Sequence, residues 1–316
     1  MIDNILREIS YESKQLVYDL AEKLFPINRS ITGKGVRETF DIIGEVIPLD
    51  MKSIESGTQV FDWTIPQEWA VDEAYISDLD GNIILSFKDN NLHLMGYSSA
   101  VDQTISKDDL MQHLIYDKNR PDSILYSTSY YNKDWAFCIE YDKLKDLNDD
   151  FYKVVIKSKF FNGCLDYAES LIDNGSKQEI LVSSYVCHPS MANDSLSGVV
   201  TAVYLYKIIK SNPEYFRSYN IRFVFAPETI GSIVYLCNNK NMVKDRTHSG
   251  LVLTCLGDKG GFNYKRTFFG DNLIDNIAEY ILNHYSNDYQ VRDYCPTGSD
   301  ERQYGSPGFR MPVGVL

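Results

Sequence analysis

The spacing of apolar positions predicts a helix at the N-terminus. Ile5, Ile9, Leu16, Leu20 and Leu24 recur at helical intervals through residues 2–25, and Pro26, which has no N–H to donate, stops the run. After the polar turn NRSITGKG a second helix is expected from about Val36 to Ile47. Residues 59–160 change character. YISDLDGNIILSF alternates like two strands around an Asp80-Gly81 turn, a strong hairpin signal. Short aromatic strands such as WAFCIEY follow, and KVVIKSKF closes the region.

From about residue 177 strands and helices alternate: EILVSSYV, then SLSGVVTAVYLYKIIKS; NIRFVFAP, then ETIGSIVYLCNN; SGLVLTCL, then NLIDNIAEYILNHYS; and finally FRMPVGVL. This rhythm predicts an α/β fold, a mostly parallel sheet flanked by helices. It also predicts an α/β domain of residues 1–55 and 161–316, interrupted by a small β-rich domain at 56–160.

Composition narrows the functional classes. The chain has 316 residues, 31 basic and 44 acidic, a formal charge of −13, and 44% hydrophobic residues. That is ample for a core and excludes disorder as the main state. No run reaches the ~18 apolar residues of a helical membrane span, and the N-terminus does not read as a signal peptide. An acidic chain without a basic stripe is not expected to coat nucleic acid. The six cysteines form no CxxC pair, so free thiols in the cytoplasm are expected. Homo-oligomerisation stays open.

In such a sheet, ligands bind at the carboxyl ends of the strands. There the sequence presents His188 and Asp194 after one strand, Glu228 after the next, Asp258 after the third, and Asp300-Glu301-Arg302 with Tyr304 before the last. Each has an ordinary alternative. His188 would serve as a loop histidine, Asp194 as a helix cap, Glu228 as a partner of a helix dipole, Asp258 as a loop start, and the 300–302 cluster as solvated ion pairs. Their coincidence at one edge suits a zinc-type hydrolase, in which imidazole and carboxylates hold the cation and a carboxylate activates water. Cys255, three residues before Asp258, is a lesser alternative ligand. A Cys187–His188 nucleophile pair is disfavoured, because neighbours on an extended segment face opposite ways.

The blocks CHPSMANDSLSG, FAPETIGS, TCLGD and GSDERQYGSPG, with LFPINRSITGKGVRETF, VFDWTIPQEW and SYYNKDWAFC, resemble a bacterial aminopeptidase-like family of unassigned function. That family is similar to zinc-dependent exopeptidases, including leucyl aminopeptidases and glutaminyl cyclases. The resemblance spans essentially the whole chain. It implies a zinc-exopeptidase-like α/β domain with an inserted β-rich domain, and a context in surface-polysaccharide biosynthesis. It also implies a continuation past Leu316 into a further histidine ligand and a winged-helix domain.

By resemblance, His188 matches the first metal-binding histidine and Asp194 the aspartate that bridges two zinc ions. Glu228 matches the general base. Thr229 stands where a second acidic ligand is usual, the next ligand falls near Cys255 or Asp258, and Glu301 replaces the histidine of a Ser-Asp-His block. One zinc ion is therefore expected rather than two. Asp300, Glu301, Arg302 and Tyr304 are the candidate substrate-binding residues for a small-molecule or peptide substrate. The expected reaction is hydrolysis of an amide or peptide bond near a free amine. The alternative is a degenerate peptidase fold that binds an amino-sugar or aminoacyl ligand without cleaving it.

Overall fold

A computed structural model describes residues 11–316. Ile5 and Ile9 of the expected first helix lie outside the described residues. The chain divides into two compact units, one comprising the residues up to Pro66 with Cys164–Leu316, the other Gln67–Gly163. Residues 56–66, grouped by sequence with the insert, belong to the first unit, where Gln59–Val60 and Trp63–Thr64 form a short hairpin.

In the first unit, helix α1 spans Tyr11–Leu24 and ends two residues before Pro26. Helix α2, Lys34–Gly44, buries Val36, Thr39, Phe40 and Ile43, the i, i+3, i+4, i+7 stripe of an amphipathic helix. Then come β1 (Asp50–Glu55), β2 (Cys164–Ile172), β3 (Glu179–Tyr185), α3 (Gly198–Ser211), β4 (Asn220–Ala226), α4 (Ile230–Asn238), α5 (Lys240–Arg246), β5 (Thr247–Val252), β6 (Phe262–Lys265), α6 (Leu273–Tyr285), β7 (Tyr289–Arg292) and β8 (Val313–Val315). The eight strands form one sheet in the order β1-β2-β4-β3-β5-β8-β6-β7. Its centre is parallel: β3 pairs in parallel with both β4 and β5, and β5 with β8. The β1, β2 and β6 pairings that the alternating rhythm did not announce include the antiparallel ones.

Strand β4 shows why the sheet reads as a mostly apolar run. Ile221, Phe223 and Phe225 join Val182 and Val186 in one core with Leu20, Leu24, Phe40, Val199 and Val203 of the helices. Each fully buried side chain of this size contributes roughly 1.5–3 kcal/mol over exposure. On the opposite side of β4, Arg222 forks onto Glu179 (Nε–Oε2 2.6 Å, Nη2–Oε1 3.1 Å) and reaches Glu169 (2.5 Å), so the partly buried guanidinium is matched by two carboxylates.

The second unit is a four-stranded antiparallel sheet in the order Ile83–Ser86, Glu68–Ser77, Phe151–Phe161, Val101–Ser106. Its first hairpin turns at the expected Asp80-Gly81, with Gly81 at φ 90°, a conformation glycine adopts without steric cost. Trp69 stacks on Tyr97 (5.7 Å), and Tyr130 packs edge-on against Tyr97 (5.1 Å), so these aromatics form this unit's own core. Among the described residues no helix is long and apolar enough to cross a membrane, and no disulfide joins the cysteines.

Candidate functional site

The site lies where the chain leaves β3, β4 and β5. Beyond β3, Val186 N–H donates to Ala226 O (3.0 Å) and keeps the exit extended as far as His188. Arg29, from the polar turn after α1, then fixes His188. Its Nε–H donates to the His188 carbonyl (2.9 Å) and its Nη1 to Leu24 O (2.5 Å). Arg29 is buried, and burial lowers its pKa to about 10. In sequence this arginine belongs to a polar turn, and its only signal is its place inside one of the resembling blocks.

His188 is 7% exposed and stands between two carboxylates. Its Nδ1 is 3.7 Å from Asp194 Oδ1 and its Nε2 is 3.5 Å from Glu228 Oε2. Burial lowers its pKa, with Arg29 acting the same way and Asp194 opposing, which favours the neutral imidazole that a metal requires. Asp194 caps no helix. Its backbone is extended (φ −105°, ψ 99°), and its Oδ1 accepts from the Tyr185 hydroxyl (2.6 Å). The Tyr185 oxygen also meets the Thr254 hydroxyl at 2.6 Å, so the last residue of β3 and the exit of β5 jointly orient Asp194.

Glu228 follows Pro227 at the end of β4, and its N–H donates to Cys187 Sγ (3.2 Å). Burial, then the charges of Asp300 and Asp194, push its carboxyl up to about 8, while Arg302 pulls it down. Cys187 is buried and its thiol is pushed up, chiefly by burial, which leaves it protonated rather than nucleophilic. Thr229 has φ 65°, ψ −73°, a strained backbone for a β-branched residue. Two groups from one segment hold it: Asp300 Oδ1 accepts its N–H (2.7 Å), and Arg302 Nη2 donates to its hydroxyl (2.6 Å). A hydroxyl that accepts from a guanidinium thus stands where the resemblance leads one to expect a second acidic ligand.

The other candidates are committed elsewhere. Asp258 is exposed. Its Oδ2 accepts from Asn193 Nδ2 (2.8 Å) and its Oδ1 from Gly260 N–H (2.7 Å). Cys255 is exposed, at φ 53°. The 300–304 segment is not a solvated cluster. Asp300, Glu301 and Tyr304 are at most 1% exposed. Glu301 pairs with Lys265, and the Tyr304 hydroxyl meets Ser183 Oγ (2.8 Å). Of the four candidate substrate contacts, Arg302 lines a cavity.

Among the described residues no group of three or more His, Cys, Asp or Glu side chains is gathered to hold a metal. The pair His188–Asp194 nevertheless fits one. With bonds of about 2.0–2.2 Å, two ligands of one tetrahedral ion stand roughly 3.3 Å apart, close to the observed separation. The carboxylates facing Glu228 leave the site short of positive charge.

Comparison with known proteins agrees with this architecture. A family model described as a domain of unknown function, DUF4910, matches residues 18–316. A Clostridium acetobutylicum protein, described as a candidate polysaccharide biosynthesis protein with an aminopeptidase-like domain, is 47% identical over 307 residues, 97% of this chain and 70% of its own length. The crystal structure of a candidate peptidase from the same species superposes with a TM-score of 0.93 at 45% identity, covering 100% of this chain and 74% of that one. A zinc aminopeptidase from Bacillus subtilis superposes with a TM-score of 0.64 at 14% identity, over 96% of this chain and 84% of its own. At that identity the likeness is one of fold, and the fold is aminopeptidase-like.

Proposed function

The chain belongs to the DUF4910 family, and from that premise we propose that it is a zinc-dependent hydrolase of the aminopeptidase type, cleaving an amide or peptide bond beside a free amine. The observation that carries this reading is His188 set between Asp194 and Glu228 at the ends of adjacent parallel strands. His188 and Asp194 would hold the ion; Asp258, whose oxygens accept from Asn193 and Gly260, would have to turn from those bonds to become the third ligand. Thr229 in place of a second acid favours one ion over two.

The chemistry a zinc ion supplies at such residues is a water nucleophile near neutral pH. Glu228 would accept a proton from the attacking water and return it to the leaving amine. In the metal-free site Glu228 holds a proton to about pH 8, because burial and two carboxylates disfavour its charge. A bound cation would offset those charges, so ion binding and proton release from Glu228 would be coupled. Asp300 and Arg302 act on Thr229 and through it set the position of Glu228.

Zinc analysis with a panel of aminoacyl amides tests this. We expect about one zinc per chain, and a Glu228→Gln protein that keeps zinc but turns over ~100-fold or more slower. Full activity without metal, or unchanged turnover in Glu228→Gln, sinks it. The uncommitted third ligand position favours a second reading, a binder of an aminoacyl or amino-sugar group in polysaccharide assembly. Tight capture of such a ligand without turnover would select that reading.

A further inference from the structure

A cavity of about 630 Å³ opens within the first unit beside Thr229, the residue after the proposed base. Its wall carries three cations, Lys240, Lys244 and Arg302, against one carboxylate, Asp62. In a chain of net charge −13 this is a local reversal of sign. The partly buried cations Arg37, Arg222, Lys265 and Arg266 of this unit are matched, by Asp166, by Glu169 and Glu179, by Glu301, and by Glu279 and Asp293. Lys240, Lys244 and Arg302 have no carboxylate partner among the described residues. The Nε–H of Arg302 is buried without an acceptor, and a buried donor left unsatisfied is costly.

The same cavity has an aromatic wall. Phe61 and Phe309 meet edge-to-face with centroids 6.0 Å apart, and Phe61 is 45% exposed. Lys244 stands over the Phe309 ring at 5.3 Å. An aromatic face between cations suits a ring that carries an oxyanion: the ring covers apolar surface, and the oxyanion takes charge-assisted bonds.

We propose that this cavity binds the anionic, ring-bearing part of the substrate, a sugar-like ring carrying a phosphate or carboxylate, while its amide end lies at Glu228. The identification of that end rests on the hydrolase reading; the anion site does not. Arg302 links the two, since its guanidinium bonds Thr229 and its charge is felt at Glu228.

Calorimetry with glucose 1-phosphate, glucuronate, glucose and inorganic phosphate tests the proposal. Both charged sugars should bind, glucose should not, and inorganic phosphate should bind at least tenfold more weakly than the sugar phosphate. The tighter of the two charged sugars names the oxyanion. A Lys240→Gln/Lys244→Gln double variant, altered only at exposed side chains, should lose at least tenfold in affinity and much of the salt dependence. Equal binding of glucose, equal binding by the double variant, or no binding of either charged sugar at millimolar concentration overturns the proposal. Glu228→Gln separates it from the hydrolase reading. Anion binding without turnover by the wild type sinks hydrolysis alone, and turnover indifferent to the lysine substitutions with no anion binding sinks this inference alone.

Discussion

The backbone N–H of Thr229 donates to Asp300 Oδ1 at 2.7 Å, across 71 residues of sequence. The bond fixes a strained threonine directly after Glu228, and Ser232 Oγ adds a second donor to the same oxygen (3.0 Å). Asp300→Asn keeps an acceptor there, whereas Asp300→Ala leaves the Thr229 N–H unsatisfied, the Ser232 hydroxyl still having the Thr229 carbonyl at 2.9 Å. We expect Asp300→Ala to lose roughly 1–3 kcal/mol more than Asp300→Asn in urea unfolding. With one charge removed from its surroundings, Glu228 of Asp300→Asn should titrate lower, which carboxyl-labelled NMR would detect. Equal stabilities for the two variants would show that the bond does not hold Thr229.

Glu228 also makes the metal-free protein pH-sensitive. Its folded pKa of about 8 exceeds its ordinary 4.5, so over that interval the native state binds a proton the unfolded chain has released. Stability therefore falls as pH rises towards 8. Asp300, raised from 3.8 to about 6, acts in the same direction at lower pH, while His188, lowered from 6.5, acts oppositely below neutrality. The window where Glu228 dominates is pH 7–8. There the metal-free wild type should lose about 1 kcal/mol per pH unit, and Glu228→Gln should show a flatter profile by thermal or urea unfolding. Parallel profiles would mean that the carboxyl is already ionised.

Tyr185 orients a proposed ligand from behind. Removing its hydroxyl frees Asp194 Oδ1 and deprives Thr254 of a partner. Partners of this kind are worth ~10–100-fold in metal affinity. Tyr185→Phe should therefore weaken zinc binding by such a factor in chelator competition, at a stability cost of about 1 kcal/mol. Unchanged affinity would remove Asp194 from the ligand set.

The α/β alternation was legible because strands buried on both faces are mostly apolar runs such as NIRFVFAP, broken there only by Asn220 and Arg222, and the residue following each run could be read off directly. Strand β2, with Asp166 and Glu169 in its interior, hid from that reading. Both carboxylates are paired with arginines far away in sequence. The placement of His188, Asp194 and Glu228 at one sheet edge was legible for the same reason as the strands they follow. Their supports were not: Arg29, Tyr185 and Thr254 reach the site from a turn, a strand end and a loop, and local pattern carries no record of such contacts. Tyr304 and Glu301 looked like site residues for want of the converse information, that Ser183 and Lys265 bury them.

Gly198, the first residue of α3, couples the core to the site. A Cβ placed there would run into the carbonyl oxygen of Leu253 and stand 2.7 Å from its carbonyl carbon. In an open helix Gly→Ala gains up to ~1 kcal/mol, but here the obstacle is backbone and cannot swing aside. Overpacking of this kind costs typically 1–3 kcal/mol, so we expect Gly198→Ala to be destabilised by about 2 kcal/mol or more. Gly44, where an added Cβ would meet nothing within 4 Å, is the control and should accept alanine without loss. The clash separates the turn after Asp194 from the strand exit that carries Thr254, so zinc affinity should fall together with stability in Gly198→Ala. Calorimetric melting with and without zinc reads both, and a variant as stable as Gly44→Ala would show that α3 and β5 are not in the contact described.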